Sequence, residues 1–548
     1  MEIDCTKLIY IGKSAFEDVP ITKITLPDGL VTISKSAFKG TKLTSIEIPD
    51  TVLVDEDSKS PEGAFMNCTE LKNIKIGTRM SFLPDDYFRG CTSLESITIP
   101  DNITHIENEA FAYCSSLTSV TFGNGLVGYG LGIGVFAYCT SLKSIVLPEG
   151  LTYLGGEGNL FLRCTALEDV TLPSTLKTLY SGDFYGCSSL KSIELPEGLE
   201  TIGYASFFET GLESITIPSS VTTIGSYAFM NCSSLKTVNL NCSSLSGISQ
   251  KLFSNCSKLE SITIPNTVTS IGGEAFYGTA LKSVTVPDSV ESLDEKAFAN
   301  CSNLETVTIG SGINSIDDDA FQGCSKLTAI TLNTYKDRFS GSPWGSSDTV
   351  EVTWLKHKLT YDFNGGDHMG YPRISAVAFL KGESISILTS NVVKQGYTFD
   401  GWYKADGTYI ELDADGKHTM TEDEDLTVYA YWVENTLTLT EVKDENDVVT
   451  GYSVSAITDK TKSSYTIPSV YHGKPVTTIE AGVFSGLTST TAVTVTVSES
   501  VTSIASDAFS GYTGTINLNV ENDGTLTGSP WGAATTATIN WKTAAENN

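Results

Sequence analysis

Apolar and polar positions alternate along this chain in a recurring phrase. Residues 190–196 and 259–265 show it cleanly as Leu-x-Ser-Ile-x-(Leu/Ile)-Pro. A period of two predicts a short, half-buried strand. In 214–217 the reading turns Ile215 and Ile217 inward and Ser214 and Thr216 outward. Pro218 then ends the strand, because it has no N–H to give to a ladder. A second brief strand or extended turn is expected at 221–225. An Ala-Phe pair, such as Ala228-Phe229, closes the unit in what reads as a helical turn. The Phe returns about every 23 residues, at Phe16, Phe38, Phe65, Phe88, Phe111, Phe136, Phe161, Phe184, Phe207, Phe229, Phe253, Phe276, Phe298 and Phe321. A unit this short cannot enclose a core alone, so the units must stack as a solenoid.

Three positions after the Phe stands Cys or Thr. Cys68, Cys91, Cys114, Cys139, Cys164, Cys187, Cys232, Cys256, Cys301 and Cys324 occupy the slot, and Thr41, Thr210 and Thr279 replace them elsewhere. A slot that accepts either residue wants a small side chain with a weak hydrogen-bonding tip, facing inward from a turn. These cysteines therefore read as free buried thiols rather than disulfides. No Cys-x-x-Cys pair supports a metal site. Cys5 falls outside this ladder.

The same phrases, with Ile224-Gly-Ser-Tyr-Ala-Phe229 and Cys232-Ser-Ser-Leu-Lys-Thr-Val-Asn-Leu240, resemble the BspA-like leucine-rich repeat family of bacterial and protist surface proteins. The resemblance covers roughly 1–356. It implies a right-handed, leucine-rich-repeat-like solenoid of short parallel β-strands, mainly β with short helical turns. Stretched Phe spacing at 54–60 and 123–134 marks insertions that would bulge from one edge. After Phe321 the period decays into Gly341-Ser-Pro-Trp344-Gly345, read as a C-terminal cap that covers the last coil with Trp.

Residues 357–434 lose the period and gain aromatics. Leu359-Thr-Tyr-Asp-Phe363-Asn-Gly-Gly366, Gly396-Tyr-Thr-Phe-Asp-Gly-Trp-Tyr403 and Leu426-Thr-Val-Tyr-Ala-Tyr-Trp432 resemble the Listeria–Bacteroides repeat, or B-repeat. That resemblance implies a small β-grasp-like module serving as a spacer or minor binding module. Residues 435–548 return to repeat language as a short second leucine-rich segment. It has an N-terminal cap, coils at Phe484 and Phe509, and a second Trp cap at Gly528-Ser-Pro-Trp531-Gly532. The first solenoid starts part-way through a repeat near Leu8, with no such cap. The expectation is that the natural protein continues upstream, where a signal peptide would sit. No covalent surface anchor is read after Trp541.

A net charge of -30 over 548 residues argues against nucleic acid and anionic lipid as partners, since both repel an acidic protein. No apolar run approaches the ~20 residues of a membrane span. The five histidines, His105, His357, His368, His418 and His472, are scattered and form no His-x-x-x-His spacing. Acidic clusters at 317–319, 413–416 and 422–425 read as solvated turns. No catalytic constellation, cofactor site or metal site is expected.

What remains is the outer strand face. Its central rank is predicted to hold Thr98, Thr121, Thr171, Glu194, Thr216, Asn239, Thr263, Thr285 and Thr308, flanked by Ser96, Ser119, Ser144, Ser192, Ser214, Ser261 and Ser283. Threonine's strand preference explains much of this pattern without a ligand. The reading is a secreted or cell-surface bacterial protein that is not an enzyme. Its expected partner is a host or microbial surface or extracellular-matrix protein, met through the solenoid face. The alternative is glycan or mucin binding, drawing on the hydroxyls and on Trp402 and Tyr403.

Overall fold

Short parallel strands in two rows organise the repeat coils. The computed structural model describes residues 7–54, 63–128, 130–336, 338–487 and 493–542. Cys5 and most of the first predicted insertion lie outside these residues. By contact density the chain forms two units, residues 1–333 with 337–355, and residues 334–336 with 356–548.

In the first unit Ser214–Ile217 pairs in parallel with Thr237–Leu240, and Ser283–Val286 pairs with Thr306–Ile309. A second row of two-residue strands, including Thr201–Ile202 and Thr223–Ile224, runs beside it in register. Apolar residues of both rows are buried, as Ile215, Ile217 and Ile224 show. The segments around Glu194 and Thr263, which read as cleanly as any strand, keep this alternation but are not paired in a ladder. Such short segments have few ladder bonds to hold them, and the hydrophobic pattern persists without the pairing.

The phenylalanines form a continuous column. Phe207 and Phe229 stack with centroids 5.2 Å apart and rings 3° from parallel, and Phe229 continues onto Phe253 at 5.6 Å. The column runs from Phe16 to Phe321. Each fully buried ring contributes about 1.5–3 kcal/mol by removal from water.

The helical turn expected at the Ala-Phe pair is corrected by the structure: among the described residues there is no helix, and this segment is a hydrogen-bonded turn. The cause lies in the flanking backbone. Tyr227 and Asn231 hold φ of 64° and 62° on either side of Phe229, and Lys251 and Asn255 hold 55° and 61° around Phe253. A left-handed residue on each side stops a right-handed helix from propagating. The Phe229 N–H instead donates to Leu252 O in the next coil at 3.0 Å, as Phe207 N–H donates to Ala228 O at 2.8 Å. Turn asparagines before the Cys slot suit this geometry, because Asn tolerates the left-handed region.

Trp344 closes this core. It is fully buried, meets Phe321 edge-on at 6.5 Å, and its indole N–H donates to Ser340 O at 3.1 Å.

The second unit holds two further cores. One gathers Leu359, Tyr361, Phe363, Phe379, Trp402, Val428 and Ala430. Within it, residues 359–362 pair in parallel with 426–429, and Tyr397–Tyr403 lies antiparallel to Leu426–Glu434. The other core spans Leu437 to Trp531. There Ser464–Thr466, Thr494–Val497, Thr515–Leu518 and Thr538–Trp541 form a parallel sheet. Trp531 repeats the cap, with its indole N–H on Thr527 O at 2.8 Å and its ring 6.4 Å from Phe509.

Candidate interaction surface

The strand register places the predicted residues side by side. Thr98 faces Thr121, Thr171 faces Val146, Thr216 faces Asn239, and Thr285, Thr308 and Thr331 stand in one file. The nine residues of the central rank are all exposed, including Glu194 and Thr263 in their unpaired segments. Adjacent strands lie about 4.8 Å apart, so the rank is a closely spaced row of outward groups. Glu47 and Lys75 continue it as an ion pair near the N-terminal end. Val146 interrupts it at 65% exposure, a hydrophobic position with no core to fill.

Several hydroxyls elsewhere in the coils bond to a neighbouring coil, although among the described residues the side chains of Thr201, Thr223 and the buried Ser254 do not. Thr104 and Thr269 donate to Ser81 O and Ser246 O of the preceding coil, both at 3.0 Å, and Ser289 donates to Val268 O at 2.7 Å. The face differs. Thr216 accepts from Asn239 Nδ2 at 3.2 Å, while Thr98, Thr121, Thr171, Thr263, Thr285 and Thr308 have no side-chain hydrogen-bond partner among the described residues. Their donors and acceptors point to solvent.

A further rank, which reading the sequence in single phrases missed, borders this face where each strand begins. Lys143, Glu168, Lys191, Glu213, Lys236, Glu260, Lys282 and Glu305 alternate in charge from coil to coil. Backbone bonds join neighbours along the rank, Lys236 N–H to Glu213 O at 2.9 Å and Glu305 N–H to Lys282 O at 2.8 Å. Two side-chain ion pairs follow, Lys236 with Glu213 at 2.9 Å and Lys282 with Glu260 at 2.7 Å. The signal was present at one residue after each repeat Leu, and it shows once the coils are placed in register.

The cysteine slot behaves as its composition implied. Each ladder thiol is buried and lies within bonding distance of the Phe carbonyl of the preceding coil, as for Cys232 and Phe207 O at 3.0 Å or Cys256 and Phe229 O at 3.1 Å. Burial pushes the Cys114 and Cys164 thiols up to about 12. Cys242 is a further buried thiol off the ladder.

One group of chemistry-bearing side chains does meet, Asp400 with Tyr403 and with His472, whose Nδ1 lies 3.2 Å from Asp400 Oδ1. Other histidines make separate contacts. His105 stacks on Phe82 at 4.6 Å, His418 Nδ1 sits 2.8 Å from Glu411 O, and His357 lies 3.4 Å from Asp423. Among the described residues no three His, Cys, Asp or Glu side chains are placed to hold a metal ion. An open groove of about 620 Å³ lies along the second strand row, where Gly247 leaves a gap between Thr223 and Ser270. Trp402 and Tyr403 are core residues at 2% and 5% exposure. Tyr403 instead hydrogen-bonds the buried Asp400 carboxylate. Asp400 also accepts the His472 N–H at 2.8 Å, and Tyr403 Oη accepts the Gly473 N–H at 3.1 Å. Burial raises the Asp400 carboxyl above its ordinary value.

Comparison with known proteins agrees with this architecture. The family described as BspA type leucine-rich repeat region matches residues 2–59, 58–180, 157–269, 246–342 and 454–529. The Listeria-Bacteroides repeat domain matches residues 357–431. The chain belongs to the BspA-type leucine-rich repeat family. A leucine-rich repeat protein from Bacteroides ovatus is 30% identical with a TM-score of 0.50, over 60% of this chain and 88% of that one. A leucine-rich cell surface protein from Faecalibacterium prausnitzii is 24% identical, with a TM-score of 0.39, over 62% and 86%. The pneumococcal vaccine antigen PcpA is 22% identical, with a TM-score of 0.34, over 64% and 80%. No curated protein matches the chain. Among the described residues no helix is long and apolar enough to cross a membrane.

Proposed function

We propose that this chain is a bacterial surface or secreted adhesion protein that binds a host or microbial protein through its outer strand face, by recognition rather than catalysis. The carrying observation is the contrast in hydroxyl use. Threonines such as Thr104, Thr118, Thr269 and Thr328 are spent on bonds between coils, whereas those of the central rank, Thr216 apart, are left for a partner. A row of such groups, with Val146 exposed among them, suits a polypeptide reached through many weak hydrogen bonds. Membership of a repeat family whose folds present long interaction surfaces supports the reading.

In this proposal residues 1–356 carry the binding face, residues 357–434 act as a β-grasp-like spacer, and residues 435–548 form a second, shorter capped segment. The glycan alternative is weakened by the burial of Trp402 and Tyr403, which removes the aromatic faces a sugar ring would stack against. Binding of the full chain to a panel of purified extracellular-matrix and cell-surface proteins tests the proposal. Saturable binding to one of them supports it, and binding to none while a glycan array responds would replace it with the alternative.

A further inference from the structure

The Lys/Glu rank has a property that a single chain does not use. Its eight members alternate strictly over successive coils. Seven steps of about 4.8 Å make a strip roughly 34 Å long. All eight are exposed except Glu213, which is half-buried. The fold does not require charge here: Lys72 and Glu95 hold the equivalent position in two outer coils, but Thr44, Thr118 and Thr328 hold it in others and donate instead to a backbone carbonyl of the preceding coil.

An alternating row of even length is complementary to its own reverse. Turned end for end about an axis between Glu213 and Lys236, the strip sets every Lys against a Glu. Glu213 meets Lys236 of the second copy twice, Lys191 meets Glu260, Glu168 meets Lys282, and Lys143 meets Glu305. A slip of one coil sets like charges together along the whole strip, so the pattern selects register as well as orientation. The strip is also locally neutral, with four Lys and four Glu, on a chain of net charge -30. It is where two such acidic molecules approach without net repulsion.

We infer that this margin of the solenoid is a self-recognition surface, by which two copies of the chain pair antiparallel and two-fold symmetrically. An isologous contact of this kind pairs residue i with j and j with i, as the strip requires. Exposed ion pairs are individually weak, so the pairing is salt-sensitive and of low affinity, suited to molecules crowded on a surface.

Sedimentation equilibrium of the full chain at about 50 mM and about 0.5 M salt tests this. The expected result is a concentration-dependent dimer at low salt that dissociates at high salt. Lys236→Glu places two like-charge contacts at the axis and weakens the dimer at least about tenfold. Lys381→Glu, an equal change of net charge in the second unit, leaves it unaltered. A gain-of-function arm guards against misfolding. The variant K143E/K191E/K236E/K282E and the variant E168K/E213K/E260K/E305K each remain monomeric alone, and their mixture forms a heterodimer. A wild-type chain that stays monomeric at low salt, a dimer indifferent to Lys236→Glu, or folded charge-swapped variants that fail to associate would each overturn the inference.

Discussion

The Cys256 thiol lies 3.1 Å from the carbonyl oxygen of Phe229, one coil earlier. That contact recurs up the stack, as with Cys164 and Phe136 at 3.0 Å and Cys324 and Phe298 at 3.1 Å. It joins two columns of the repeat, thiols and rings, and Thr can replace Cys in the slot because its hydroxyl also finds a Phe carbonyl, in Thr210 that of its own coil. Thr210 donates to Phe207 O at 3.0 Å and lies 3.1 Å from Cys232 Sγ.

The thiols should therefore be inert until the fold opens. Burial keeps reagent from every ladder thiol. At Cys114 and Cys164 it also raises the thiol pKa and so suppresses the reactive thiolate, whereas the neighbouring Cys324 lowers that of Cys301. Titration with a chromogenic disulfide reagent is expected to label essentially none of the ladder cysteines in the native state and all of them in denaturant. Reductant should leave the melting temperature unchanged.

The ring column carries packing energy that no surface residue replaces. Phe229 is fully buried between Phe207 and Phe253. Phe229→Ala leaves a cavity in the middle of the stack and should cost about 3–5 kcal/mol in urea unfolding. Ser214→Ala, on the outer face of the same region, should change stability by less than about 0.5 kcal/mol.

Asp183 makes the first unit sensitive to pH. It is fully buried where other coils place Ala, and it accepts the Tyr180 N–H at 2.7 Å and the Leu160 N–H at 3.3 Å. Desolvation pushes its carboxyl up to about 7, above an unfolded value of 3.8. Between those values the native state binds more protons, so stability falls as pH rises from about 4 to about 7. The shift corresponds to a loss on the order of 4 kcal/mol by the top of that window. Denaturation midpoints measured across pH should show this decline. Asp183→Ala, which strands two N–H groups, should be less stable than wild type at pH 5 and lose much of that deficit by pH 8.

Asp400 holds a turn of the second leucine-rich segment against the preceding module. Gly473 at that turn has φ of 72°, and a Cβ there would stand 2.7 Å from Tyr409 Cβ, so only glycine fits. In Asp400→Ala the His472 N–H loses its acceptor. Hydrogen exchange should then report faster exchange at His472 and Gly473, with the Phe column of the first unit unchanged. Undiminished protection at His472 would remove Asp400 from this role.

Much of the architecture was legible because the repeat writes each residue's environment many times. Fourteen Phe positions at one spacing specify a stacked core, and a slot shared by Cys68 and Thr41 specifies a small inward donor. The paired Trp344 and Trp531 motifs marked both caps for the same reason. The turn conformation was not legible. Tyr113, Tyr227 and Glu274 adopt positive φ although nothing in their chemistry asks for it; the stacking of coils imposes it. The Asp400 contact joins residues about 70 apart, and no local pattern predicts such a pair. The hydroxyl face was read residue by residue, but the absence of side-chain partners for Thr285 and Thr308 needed the neighbouring coils to be in place.

The central claim is that this face binds. Its most direct measurement is the affinity of the full chain for an immobilised protein partner from the panel, before and after Thr216→Lys with Thr285→Lys. These changes sit on exposed strand positions and leave the core untouched. The account predicts at least about tenfold weaker binding with an unchanged melting temperature. Unchanged affinity in the folded double variant would contradict it.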